Sequence, residues 1–382
     1  MVIHLVTPEY PPAIGGLADY TRALAEALTE AGEQVHVWCP QHGTEATHPF
    51  GVHADLGAFS KGDLDHFGAE LDAFPAPRRL IVQWVPHGYG RRSMNLAFCF
   101  WLWKRARGGD EIELMVHEPF LAWREGTWRQ TAAAGVHRLM TVILLRAARR
   151  VWMSIPAWEP MWRPYALGRR VPFGWLPVPN SLPAPDPKTV SALRTRFRHE
   201  PGGLVGHVGT YGGLVTPLLS GVLPEILRQK GGPRVLLIGA GSEAFRTAFL
   251  SRRPDHSNHV YATGTLSTAD VAAHVAACDV LVQPYPDGVS SRRTTAMAGL
   301  AFGVPVVTTR GRLSEALWSE SGAVRLSEVG DSPMMARQVE DLLRHPEARL
   351  RLGEAGRSLY QRSFEMRRTI DALMGRDSRK VA

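Results

Sequence analysis

Short aliphatic and β-branched runs alternate along the chain with stretches in which apolar residues recur every three or four positions. In the first half the runs fall at residues 2–7, 34–39, 80–85, 112–117, 150–155 and 173–178. Between the first two, Leu17, Tyr20, Leu24 and Leu28 keep helical spacing and the pattern stops at Gly32, which predicts a crossover helix over 17–31. A proline-rich stretch at 177–187 interrupts the rhythm, and it then restarts with runs at 204–208, 234–238, 259–262, 279–283 and 304–308. From residue 332 onward the pattern is helical, notably over 337–344 and 347–374, before a frayed tail at 377–382. Strand and helix in alternation indicate βαβ units and parallel sheets. The expected architecture is α/β, with two doubly wound domains at 1–180 and 181–360 and a terminal helix within 361–382 packing back on the first. In such folds ligands meet the carboxyl ends of the strands, here expected to face a cleft between the domains.

Composition narrows the class. A chain of 382 residues exceeds the size at which one core stops growing, and 45% hydrophobic with 21% charged residues is the make-up of a folded protein. The net charge of +8 favours a phosphate-bearing partner, but no block of consecutive Lys or Arg marks a nucleic-acid arm, so nucleic acid is not expected. Cys39, Cys99 and Cys278 stand far apart, without a Cys-x-x-Cys pair, which excludes a disulfide framework and a structural zinc site. With no positive leader before the first run and no apolar stretch near the roughly 20 residues of a membrane span, a cytoplasmic protein is expected. Any membrane contact would be peripheral, at the inner face.

Candidate chemistry sits where runs end. After the first run, Pro8-Glu9-Tyr10-Pro11-Pro12 leads to Gly15 and Gly16 immediately before the helix that carries Asp19 and Tyr20. Glycines there let a phosphate approach free helix N–H groups, although a tight turn explains them as well. His117 and Glu118 end the fourth run, where a neutral imidazole can bond a ligand hydroxyl. Gly206 to Gly213, containing Thr210, Tyr211 and Gly212, ends the first run of the second half, and Gly239, Gly241 and Ser242 end the next. Two small-residue loops one strand apart point to backbone approaching a ligand.

These segments resemble glycosyltransferase family 4: the Glu-x-Pro-Pro loop with its Gly-Gly pair and following Tyr helix, the stretch Gly32 to Trp38, the His and acid at 117–118, and much of the second half, about four fifths of the chain by inspection. The resemblance implies a GT-B fold and a retaining transfer of sugar from a nucleotide diphosphate sugar. The run from Pro284 to Thr308 both keeps and breaks the family pattern. Gly303-Val304-Pro305-Val306-Val307 and the small-residue helix before it are kept, but the family's two glutamates fall on Ser290 and Ala298. Its Arg and Lys after the first strand of the second domain fall on Thr210 and Val215. Because a dianionic leaving group needs cationic help, Arg292 and Arg293 are expected to replace them, aided by Ser290, Ser291, Thr294, Tyr285 and Gly288, with Glu315 or Glu320 as a substitute for the missing ribose contact. The alternative is that Ser290 caps a helix and both arginines are solvated.

On the other domain the aromatic, basic loop with Gln83, His87, Tyr89 and Arg91 is assigned to the acceptor side together with Asp19 and Glu118. Asp63-Leu64-Asp65 resembles a metal motif but sits in a stretch read as loop, and His42, His48 and His53 lack ligand spacing, so no metal and no bound cofactor are expected. The expected function is transfer of a sugar from a nucleotide sugar to a glycan or lipid-linked acceptor, with His117, Arg292 and Arg293 as catalytic residues. A nucleotide-sugar epimerase and a non-catalytic sugar-binding protein are the alternatives.

Overall fold

The computed structural model describes residues 2–13, 15–40, 48–90, 93–123, 126–197, 202–228 and 232–376. The chain divides into two units, the first made of Met1–Val178 and Met366–Ala382, the second of Pro179–Glu365.

In the first unit the order is β1 (Val2–Val6), α1 (Gly16–Glu30), β2 (Gln34–Trp38), β3 (Gly51–His53), α2 (Lys61–Asp72), β4 (Arg79–Trp84), α3 (Leu96–Arg107), β5 (Glu111–Val116), α4 (Trp128–Ala147), β6 (Ala148–Met153), α5 (Glu159–Trp162) and β7 (Phe173–Trp175). Among the described residues these strands form one seven-stranded sheet in the order β3-β2-β1-β4-β5-β6-β7, parallel throughout. The short edge strand β3 has none of the long aliphatic character of its neighbours, and the sequence reading passed over it. Asp63 lies in α2 and not in a loop: its carboxylate accepts the Ser60 N–H at 2.8 Å and the Ala58 N–H at 3.0 Å, while its own N–H meets the Ser60 hydroxyl. It is a helix-capping residue, which accounts for the acid without a metal.

One face of β1, β2 and β3 carries a file of histidines, because His4 pairs in register with His36, and Trp38 with His53. His4 Nδ1 accepts the Trp38 indole N–H at 3.1 Å, and His36 Nδ1 stands 3.0 Å from His53 Nε2. Burial beside these neighbouring rings pushes His4 down to about 3 and lowers His36 and His53 as well.

The second unit contains α6 (Pro187–Phe197), β8 (Leu204–Val208), α7 (Thr216–Leu227), β9 (Arg234–Ile238), α8 (Ser242–Leu250), β10 (Val260–Ala262), α9 (Thr268–Ala277), β11 (Val280–Gln283), α10 (Thr294–Phe302), β12 (Val306–Arg310), α11 (Ala316–Glu320), β13 (Arg325–Glu328), α12 (Ser332–Arg344) and α13 (Pro346–Ser363). Its described strands form a six-stranded parallel sheet in the order β10-β9-β8-β11-β12-β13. The helical stretch expected over 347–374 is broken at Phe364 and Glu365, and α14 (Met366–Leu373) belongs to the first unit. There Ile370 and Leu373 join the core of Ile3, Leu24, Val35 and Ile81. Arg79 Nη2 donates to the Leu373 carbonyl at 2.6 Å, Arg79 Nε to Glu113 at 2.8 Å, and the Trp152 indole to Glu113 at 2.7 Å, so a buried ion pair closes the end of α14.

Candidate functional site

The order of the first sheet reverses between β1 and β4, that of the second between β8 and β11. At such a switch point the crossover helices leave to opposite faces and the strand ends stay open.

In the first unit β1 runs into Glu9, whose carboxylate lies at the start of α1, where the backbone of Ala18 and Leu17 draws its pKa down. A Cβ on Gly15 would stand 2.7 Å from Glu9 Oε1, so the close approach that glycine permits is made by the chain's own carboxylate. The helix start that sequence reading offered to a phosphate is therefore met by Glu9, and only Gly16 has open space above it. Burial raises the Glu9 carboxyl against the pull of that backbone, and burial raises Asp19 similarly.

β4 and β5 bring Gln83 and His117 together. His117 Nε2 lies 2.7 Å from Gln83 Oε1, so Nε2 donates and Nδ1 is left to accept. Burial pushes His117 down to about 3, which keeps the ring neutral at ordinary pH. The Tyr20 ring meets it edge-on at 5.2 Å. Gln83 Nε2 and the Tyr20 hydroxyl are buried and without partners among the described residues. His87 Nδ1 and Glu118 form an exposed pair at 3.1 Å, and this hydrogen bond raises His87. Tyr89 corrects the expectation of an acceptor-facing ring. It is fully buried, stacked on Trp84 and Phe98, with its hydroxyl 2.9 Å from the Gln83 carbonyl and 3.2 Å from that of Val6. It braces the ends of β1 and β4. Arg91 and His42 lie outside the described residues.

In the second unit the loop after β8 places Tyr211 with its hydroxyl donating to the His207 carbonyl at 3.1 Å, while Thr210 and Gly212 are exposed. Gly239, at φ +108°, packs on this loop: a Cβ there would stand 2.5 Å from the Gly209 carbonyl, and Gly241 lies against Thr210. The two small-residue loops thus touch each other. Ser242 accepts the Gly264 N–H at 2.9 Å and is a brace inside the unit. Beneath the loops, His207 Nδ1 donates to the Val282 carbonyl at 2.8 Å and Gln283 Nε2 to that of Val208 at 3.2 Å. Their other polar atoms, His207 Nε2 and Gln283 Oε1, are buried without partners among the described residues. Burial holds His207 near 4.

From β11 the chain turns through Gly288, at φ +84°, where a Cβ would meet the Gly311 N–H at 2.3 Å. It then enters α10 with Arg293 as the flanking residue. Arg293 lies 4.6 Å from the Tyr285 ring centroid, and Tyr285 is pinned by Thr295 at 2.7 Å. The Ser290 hydroxyl and Arg293 Nε are buried and unpartnered among the described residues. Arg292 and Thr294 are half-buried beside them. The nearby acids are engaged: Asp287 with Arg312 at 2.9 Å, and Glu315 with the Ser291 N–H at 3.0 Å, the Ser291 hydroxyl and the Trp318 indole at 2.7 Å. Glu315 therefore braces the turn.

Sequence reading missed Glu9, Tyr20, His207 and Gln283. For His207 and Gln283 the available signal was a polar residue on an otherwise aliphatic strand, and for Glu9 an acid three residues past the end of β1; Tyr20, inside α1, carried no such signal. Among the described residues no group of three or more His, Cys, Asp or Glu is placed to hold a metal ion, and no helix is long and apolar enough to cross a membrane.

Comparisons with known proteins agree with the fold. Residues 205–345 match the family described as Glycosyl transferases group 1, and residues 2–68 match the Starch synthase catalytic domain. No curated protein is matched by sequence. Sucrose-phosphate synthase from Thermosynechococcus elongatus superposes with a TM-score of 0.73 at 17% identity, over 98% of this chain and 97% of that one. WaaG, a glycosyltransferase involved in lipopolysaccharide biosynthesis, gives 0.68 at 15%, over 98% and 100%. Anabaena HepE in complex with UDP gives 0.68 at 14%, over 98% and 99%. The likeness establishes the fold, two Rossmann-like units of the GT-B kind.

Proposed function

We propose that the chain is a glycosyltransferase that moves a sugar from a nucleotide diphosphate sugar to a glycan or lipid-linked acceptor with retention of configuration. The observation that carries this reading is the start of α10, where the Ser290 hydroxyl and Arg293 Nε are buried without partners among the described residues while the adjacent carboxylates are engaged elsewhere. Unsatisfied buried donors cost about 1–3 kcal/mol each, and a diphosphate would satisfy them. The match of residues 205–345 to group 1 glycosyl transferases supports the same assignment. Arg293 and Arg292 would stabilise the departing nucleotide diphosphate, with the first N–H groups of α10 as further donors. On the first unit, neutral His117, oriented by Gln83, would bond a sugar hydroxyl through its free Nδ1. His87 and Glu118 would meet the acceptor. The retaining course rests on the motif resemblance.

Arg293→Ala is expected to lower turnover on nucleotide sugars about 10²–10³-fold with folding intact by circular dichroism. Thermal shift with a panel of nucleotides identifies the base, and loss of the shift in Arg293→Ala ties it to α10. Wild-type turnover in that variant would remove the site assignment. A nucleotide sugar incubated without acceptor should keep its sugar configuration; an epimer there would replace transfer by epimerisation.

A further inference from the structure

The outer side of α4 combines exposed aromatic residues with a surplus of arginine. Trp128 is 76% exposed, Trp123 51%, Leu139 49% and Leu121 43%. The Trp123 ring lies over the helix at Gly135, where a Cβ would meet it at 3.6 Å, and Arg138 stands 4.1 Å from its centroid. Arg129 stands 5.6 Å from the centroid of Trp128. The twenty residues of α4 include no acid. Of its three arginines, Arg129 and Arg146 are exposed, while Arg138 is buried and donates to the Leu121 and Ala134 carbonyls.

We propose that this face of the first unit docks on an anionic membrane surface. Large apolar side chains grouped on a surface mark a partner, and indole rings favour the headgroup level of a bilayer, where one edge is wet and the other apolar. Arg129 and Arg146 are exposed on the same helix, and a helix of this length extends about 30 Å. Cations spread over that distance match a sheet of anionic headgroups better than a compact ligand. No helix among the described residues can cross the membrane, so the contact lies in the interface plane. The surface does not depend on the sugar-transfer reading, although it would bring a lipid-linked acceptor to the same unit that carries His87 and Glu118.

The test is sedimentation of the full chain with vesicles of phosphatidylcholine alone or with about one third phosphatidylglycerol. Binding is expected to be at least about tenfold tighter on the anionic vesicles and to weaken with salt. The Trp123→Ser/Trp128→Ser double variant should lose about tenfold or more, with its circular dichroism and thermal midpoint unchanged. Arg129→Glu/Arg146→Glu should lose binding to anionic vesicles selectively. Absence of vesicle binding, equal binding to neutral and anionic vesicles, or variants that bind like the wild type would each overturn the proposal; the first would leave the patch to a protein partner. A nucleotide thermal shift on the same samples separates the two readings. Vesicle binding without any nucleotide shift defeats the transferase reading alone, and a nucleotide shift without vesicle binding defeats the membrane surface alone.

Discussion

Glu315 meets three donors, the Ser291 N–H, the Ser291 hydroxyl and the Trp318 indole. It holds the turn at 290–293, where the Ser290 hydroxyl and Arg293 Nε have no partner among the described residues. Glu315→Ala removes the acceptor of the Trp318 indole and the brace on Ser291, at about 1–3 kcal/mol for a buried donor left unpaired. A lower urea midpoint is expected, together with a weaker nucleotide shift, and Glu315→Gln should recover part of both. The sequence marked Glu315 only as an acid in the right region, because its partner lies 24 positions away and the contact exists only once β12 has brought the two loops together. Glu9 was overlooked for a related reason: the glycines that follow it read as space for a ligand, and whether the chain fills that space itself depends on side-chain direction. His117 and Gln83, 34 positions apart, could each be read singly as polar residues at strand ends, but their pairing is a property of the parallel register of β4 with β5.

At the scale of elements, strongly aliphatic strands and the helix over 17–31 were legible because buried parallel sheets and amphipathic helices impose their own periods. The edges were not. β3 is three residues long, and β13 is Arg-Leu-Ser-Glu with mixed exposure, so neither shows the continuous apolar run of a central strand. The break between α13 and α14 is equally silent, since neither glycine nor proline marks Phe364 and Glu365. What fixes α14 is tertiary: Arg79 holds both the Leu373 carbonyl and Glu113. Removing one member of a buried ion pair leaves the other uncompensated, so Glu113→Ala is expected to destabilise the first unit by about 3–5 kcal/mol. Denaturant unfolding measures the loss, and proteolysis near Glu365 should accelerate. An effect below about 1 kcal/mol would mean that the pair is dispensable.

For the molecule as a whole, the histidines set an acid limit. His4, His36, His53, His117 and His137 of the first unit are all lowered by burial. Since each folded-state pKa lies below the unfolded value of about 6.5, the unfolded chain binds more protons in between, and stability is complete above that value and falls as the pH drops towards 3. His87, raised by its bond to Glu118, opposes the trend around the ordinary imidazole range, and Glu9 and Asp19, raised by burial, oppose it near and just above the ordinary carboxyl range. Calorimetry from pH 7 to 4 should show the thermal midpoint falling, with a shallower fall in His36→Phe. A midpoint independent of pH over that range would contradict the burial of the file. The return of α14 to the first unit has a further consequence, which belongs to the time axis of synthesis. Ile370 and Leu373 complete the same core as Ile3 and Leu24, yet the whole of residues 179–365 is translated between them. At roughly 5–20 residues per second, the nascent first unit waits roughly 10–40 s with that core uncovered, while the second unit, contiguous in the chain, can close as soon as it leaves the ribosome.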